Sequence, residues 1–252
     1  TLDTALTGLS TLTAAGSGVA GTGTNASSFS LAALGGNNAY NMNVTASGLK
    51  GGFAATTVNT GAGYDINVDG TGLAGATAAT TALTLGAIGA TTTGANVTVN
   101  TTGLKGAVDL STIAATGTVT LTNSSTGAYD VGNISSAVAA INTTSTVGAV
   151  TIGTITTTGA TTITNASTST FAVEAISAGI TGDVTLALDG TLGLVSGNTI
   201  AGNNVNVDVS NTIGGVQNNA ATVGTMDTIT AHTSATLAMS ELQANIVSIA
   251  GS

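Results

Sequence analysis

The chain predicts an all-β protein, a parallel β-helix or solenoid of short coils, on three observations: its composition, its period-two alternation and its internal repeats. The 252 residues include 36 Gly and no Cys, Pro or Trp; 5% are charged and 2% aromatic. An ordinary globular domain carries about 25% charged residues, so hydroxyls and amides must keep this surface wet. Thr does that on a strand, where its β-branch fits the pleat and its hydroxyl faces water. Disorder combines low hydrophobicity with high net charge. Here 42% of residues are apolar and mean hydropathy is +0.46, which argues for a folded chain. So few aromatics leave a thin core of small aliphatics, which suits a solenoid better than a thick globule.

Along the chain, three segments align without gaps. Asn41-Met42-Asn43-Val44 leads to Gly48-Leu49-Lys50-Gly51, Asp65-Ile66-Asn67-Val68 to Gly72-Leu73-Ala74-Gly75, and Asn96-Val97-Thr98-Val99 to Gly103-Leu104-Lys105-Gly106. Each alternates polar and apolar residues, as a strand with one buried face does, and then places Leu between glycines. A second family begins at Thr120-Leu121-Thr122-Asn123-Ser124-Ser125 and recurs 42 residues later at Thr162-Ile163-Thr164-Asn165-Ala166-Ser167. The alternation continues through Val150-Thr151-Ile152, Val184-Thr185-Leu186 and Val205-Asn206-Val207.

Taking the second apolar residue of each strand as a marker gives Val44, Val68, Val99, Leu121, Ile152, Leu186 and Val207, with gaps of 24, 31, 22, 31, 34 and 21 residues. Ile163 divides the gap of 34 into 11 and 23. A unit of about 20–25 residues matches one coil of a parallel β-helix. One coil cannot offset its own ordering entropy, so neighbours must stack. Antiparallel β-sandwich domains are the alternative, since they too space short strands by turn signals.

Two stretches break the alternation. Ile134, Val138 and Ile141 fall at helical spacing and predict a short helical turn. Met239, Leu242, Ile246 and Ile249 predict a short C-terminal helix, with Ser234 or Thr236 as its cap. The expected organisation is a solenoid of degenerate 20–25-residue coils over 1–230, then a capping or linking segment over 231–252.

Net charge is −9, with Lys50 and Lys105 the only basic residues besides the single histidine, His232. That excludes a nucleic-acid footprint and a basic membrane-surface helix, and no apolar run approaches the roughly 18 residues of a membrane span. The chain opens on Thr1, as an excised or processed part of something longer would, and no signal peptide is visible. His232 without Cys or a second His supports neither zinc nor a nucleophile triad. Asp183 and Asp189 could serve as a carboxylate pair, but sugar sites also want aromatic platforms and Arg, and we expect no enzyme.

The sharpest chemical signal is Asp65-Ile66-Asn67-Val68-Asp69-Gly70, the opening of D-x-[DN]-x-[DN]-G. In an EF-hand such alternating oxygens hold calcium, so Asp65, Asn67 and Asp69 are candidate ligands. The bidentate Glu of that motif is replaced by Ala76, and an outward strand face is the competing reading. Triplets such as Asn25-Ala26-Ser27 mark sites where glycosylation is chemically permitted.

In its Thr/Ala/Gly/Asn-rich repeats such as Ala160-Thr161-Thr162-Ile163-Thr164-Asn165, its missing Cys, its scarce Lys and its acidic balance, the chain resembles bacterial surface-layer proteins and large secreted adhesins of the repeats-in-toxin type. The tandem calcium nonapeptides of the latter are not present. The resemblance implies export to the extracellular cell surface, β-rich modules, calcium-dependent assembly and a structural role in a lattice or fibre. The expected partners are copies of the chain itself, with a cell-surface glycan as a further candidate and neither nucleic acid nor an inserted membrane. Rival expectations are a passive solenoid spacer and an adhesin module binding carbohydrate or ice, the last through Thr98, Thr120, Thr122, Thr151, Thr162 and Thr164.

Overall fold

The computed structural model describes residues 10–15, 28–35, 39–49, 51–61, 63–73, 81–90, 95–144, 148–188, 195–209, 216–218, 226–231, 237–238 and 249–251. These form two parallel sheets that the chain visits in turn, and contain no helix. The odd-numbered sheet holds β1 (Thr11–Ala15), β3 (Met42–Ser47), β5 (Ile66–Gly72), β7 (Val97–Thr101), β9 (Thr118–Asn123), β11 (Val138–Thr144), β13 (Thr161–Ala166), β15 (Val184–Ala187), β17 (Val205–Val209), β19 (Met226–Ala231) and β21 (Ile249–Gly251). The even-numbered sheet holds β2 (Ser28–Gly35), β4 (Gly52–Thr60), β6 (Thr81–Ala90), β8 (Ala107–Ala114), β10 (Tyr129–Ser136), β12 (Val150–Thr157), β14 (Phe171–Ser177), β16 (Val195–Ala201), β18 (Val216–Asn218) and β20 (Leu237–Ala238). Each strand pairs in parallel with the strands two before and two after it, so one odd and one even strand make a coil. This is the predicted β-solenoid, and the parallel pairing overturns the antiparallel sandwich.

Period two decides which side chains fill the core. In the odd sheet Val44, Val68, Val99, Leu121, Ile141, Ile163 and Leu186 stack in one buried file. Their steps are 24, 31, 22, 20, 22 and 23 residues. Ile152 is buried as expected but belongs to β12 of the other sheet, so it is no counterpart of Leu121; Ile141 is. Both strands of a coil alternate alike, and a marker read by alternation alone slips from one sheet to the other. Val207 is in register with Leu186, and its side chain lies outside the described residues. The offset of 42 residues is now two coils, from Leu121 through Ile141 to Ile163.

Even strands are bent. In β8, Val108, Leu110 and Ile113 point inward, while Ser111 and Thr112 are successive outward residues. The same break recurs at Gly132-Asn133 in β10 and Gly153-Thr154 in β12. Beyond the bend Ile88, Ile113, Ile134, Ile155 and Ile176 form a second buried file. The helical turn expected from Ile134 to Ile141 is therefore a corner. Ile134 is the last inward apolar residue of β10, Ala137 turns the chain, and Ile141 belongs to β11. Of the expected C-terminal helix, Ile249 lies in β21, paired with Ile229, and so is not helical. Ser234, Thr236, Met239, Leu242 and Ile246 lie outside the described residues.

Corners follow the repeats. Leu49, Leu73 and Leu104 are buried, and Gly48 and Gly103 precede two of them at φ of 66° and 74°, which a side chain would strain. At the end of the odd strands a polar file enters the core: Thr101, Asn123, Thr143 and Asn165, one per coil and all buried. The Thr101 hydroxyl donates to Asn123 Oδ1 at 2.8 Å, and Thr143 repeats this with Asn165. Buried polar groups must find such partners. This is what the Asn-Ser-Ser and Asn-Ala-Ser repeats encode.

Candidate functional site

The outward residues of the odd sheet build the most regular surface of the molecule. Strand pairing without a register shift from β5 to β17 stacks them in two straight files. One file runs Thr98, Thr120, Ala140, Thr162 and Thr185; the other runs Asn100, Thr122, Asn142, Thr164 and Ala187. Rungs of a sheet repeat every ~4.8 Å, and outward residues on one strand are ~6.7 Å apart. The ten side chains are half-buried or exposed, and none is ionisable. Asp69 stands one coil before this neutral window and Asp208 one coil after it. Of the six threonines expected to share a face, Thr98, Thr120, Thr122, Thr162 and Thr164 do. Thr151 does not; it is on β12, in register with Asp130.

Other acids stand on the even sheet and at corners. Asp109 and Asp130 are exposed neighbours in register on β8 and β10, and Glu174 is exposed on β14. Glu174 accepts a hydrogen bond from the Thr154 hydroxyl at 3.3 Å.

Asp65, Asn67 and Asp69 do not converge. Asp65 precedes β5 and the other two lie on it, so successive outward positions are ~6.7 Å apart and the outer pair about 13 Å apart. Calcium ligands sit at 2.3–2.6 Å from their ion, so one ion cannot take all three while the strand is extended. Each residue has work in the coil that amides share. Asp65 Oδ1 accepts from the Asn96 N–H at 2.9 Å and from Asn96 Nδ2 at 3.1 Å. Asn41 Oδ1 accepts from the Asp65 N–H at 2.9 Å, and Asn96 Oδ1 from the Thr118 N–H at 2.8 Å, so acid and amide alternate in one corner ladder. Asn67 Nδ2 donates to Asn43 Oδ1 at 3.0 Å. Asp69 Oδ1 accepts from the Thr71 N–H, the same two-residue turn that Asn100 makes with Thr102 and Asn142 with Thr144.

No family model matches the chain, and no curated protein or solved structure does.

Asp183 is another rung of the corner ladder. Its Oδ1 accepts from Asn203 Nδ2, Asn204 Nδ2 and the Asn204 N–H, and the two side-chain amides hold its carboxyl below the usual carboxylate range. Asp189 and His232 lie outside the described residues. Among the described residues, no three His, Cys, Asp or Glu cluster as metal ligands would, and no helix is long and apolar enough to cross a membrane. Sequence reading missed the buried Thr/Asn file and the neutral window. The 42-residue repeat contained the signal for the first, but the second required knowing which strands share a sheet.

Proposed function

We propose that the chain is a non-enzymatic structural module of an extracellular cell surface, a stiff rod that assembles with copies of itself into a lattice or filament. The observation that carries this reading is the pairing of a two-sheet parallel solenoid with a regular, uncharged pair of files of hydroxyls and amides. Stacked coils make a rod whose every rung is held by its neighbours. A regular array of Thr and Asn pairs readily across chains, as such ladders do where sheets meet. The low charge of the surface adds little repulsion, and salt screens what remains within about 10 Å at 0.1 M.

Electron microscopy of the purified chain, with and without calcium, tests it. Ordered sheets or filaments are expected. A monodisperse monomer under all conditions, with no ordered polymer on native cells, overturns it in favour of a passive spacer. A second reading, binding of ice, is favoured by the five threonines that share one face. Thermal hysteresis from the isolated chain would select it, and its absence at high concentration would remove it.

A further inference from the structure

We infer that copies of this chain meet through the outward face of the odd-numbered sheet, the neutral window of one lying on that of another. The inference rests on the self-assembly proposed above and names its contact surface and partner.

Three observations favour a second copy as the occupant. Charge is the first. The molecule carries a net charge of −9, yet the window from Thr98 to Ala187 in these two files is free of ionisable groups. The even sheet instead shows Asp109, Asp130 and Glu174, so two copies meeting there would oppose carboxylates, which costs stability at an interface. Repeat is the second. The window offers groups every ~4.8 Å along the rod, and a partner must match that spacing over several rungs to engage them together. Another copy has it by construction, because its rungs are set by the same hydrogen-bonded pairing. Shape is the third. Thr, Asn and Ala are short, so two such faces can approach closely and interleave, with Asn142 and the threonines exchanging hydrogen bonds across the gap.

Area sets the strength. The five strands of the window at ~4.8 Å and a face about 13 Å wide offer about 300 Å² a side. A standard stable interface buries about 800 Å² a side, so one pair of chains binds weakly and the contact gains strength through repetition in an array.

The chain has no cysteine, which allows a clean test by crosslinking. Thr120→Cys and Thr164→Cys place thiols on the window; Thr84→Cys and Thr112→Cys place them on the outward side of the even sheet. Each variant is treated with a short bis-maleimide at high concentration, and assembly is followed in parallel by electron microscopy. Crosslinked dimers are expected from the window variants, and Thr122→Asp, added to either, is expected to abolish them with the β-sheet circular dichroism unchanged. If Thr122→Asp unfolds the chain, Asn142→Asp supplies the same charge on the same file. Assembled protein that crosslinks through the even sheet, or not through the window, overturns the inference and leaves the lattice reading standing. Protein that neither assembles nor crosslinks overturns both.

Discussion

Tyr129 is sealed in the core, and its hydroxyl is the buried side-chain polar atom that lacks a hydrogen-bond partner among the described residues. Burial pushes its phenol well above the ordinary tyrosine range. An unsatisfied buried hydroxyl costs about 1–3 kcal/mol, so Tyr129→Phe is expected to raise the urea midpoint by a comparable stability; a lower midpoint would show that the hydroxyl is held. Asp183 gives a pH signature. Its folded carboxyl is depressed by the Asn203 and Asn204 amides, so its contribution is present above the ordinary carboxylate pKa and lost as pH falls through the folded value. Stability of the Asp183→Asn variant should therefore fall less between neutral and acidic pH than that of the parent, measured as melting temperature against pH. Single residues were the least legible level of the sequence. Asp65-x-Asn67-x-Asp69 has the letters of a calcium loop, but the alternation that gave it those letters is the alternation of a strand.

At the scale of the strand, sequence did better. The inward positions Val44, Val68, Val99, Leu121 and Leu186 were readable because burial on one face of a strand leaves period two as its trace. Sheet membership was not readable, since β11 and β12 carry the same alternation, and Ile152 was taken into the wrong file. The bend of the even strands was equally hidden. It is enforced by contacts between coils, not within a segment. A Cβ on Gly132 would overlap the Ser111 carbonyl oxygen of the preceding coil, whereas a Cβ on Gly103 meets nothing within 4 Å and suffers only from φ of 74°. Gly132→Ala is expected to cost about 3 kcal/mol or more, and Gly103→Ala about 1–2 kcal/mol from left-handed strain alone. Equal losses in chemical denaturation would refute this account of the bend.

The whole molecule was legible as a solenoid because its thin core follows from composition: few aromatics, many β-branched and small residues, glycine at corners. The neutral window was not, because it is a property of strands stacked in register within one sheet and needs the fold before it can be seen. Ions are a matter for this scale as well. With Asp65, Asn67 and Asp69 spread along an extended strand, calcium and chelator are expected to give the same melting temperature for the isolated chain; a drop on chelation would reveal a site formed elsewhere, since an ion bound only to the folded state stabilises it.

In both sheets the backbone hydrogen bonds point from coil to coil, along the rod. Tension applied along that axis therefore loads one rung at a time, as in opening a zip, and does not shear many bonds together. Each released coil of 20–24 residues, the step found between most neighbours, would add about 70 Å of contour. A single tethered chain pulled along its axis should lengthen in small, even steps at modest force and rewind when slackened. One large rupture would instead mean that the coils fail together. A surface made of such rods would yield under load coil by coil and recover, a mechanical fuse that resets.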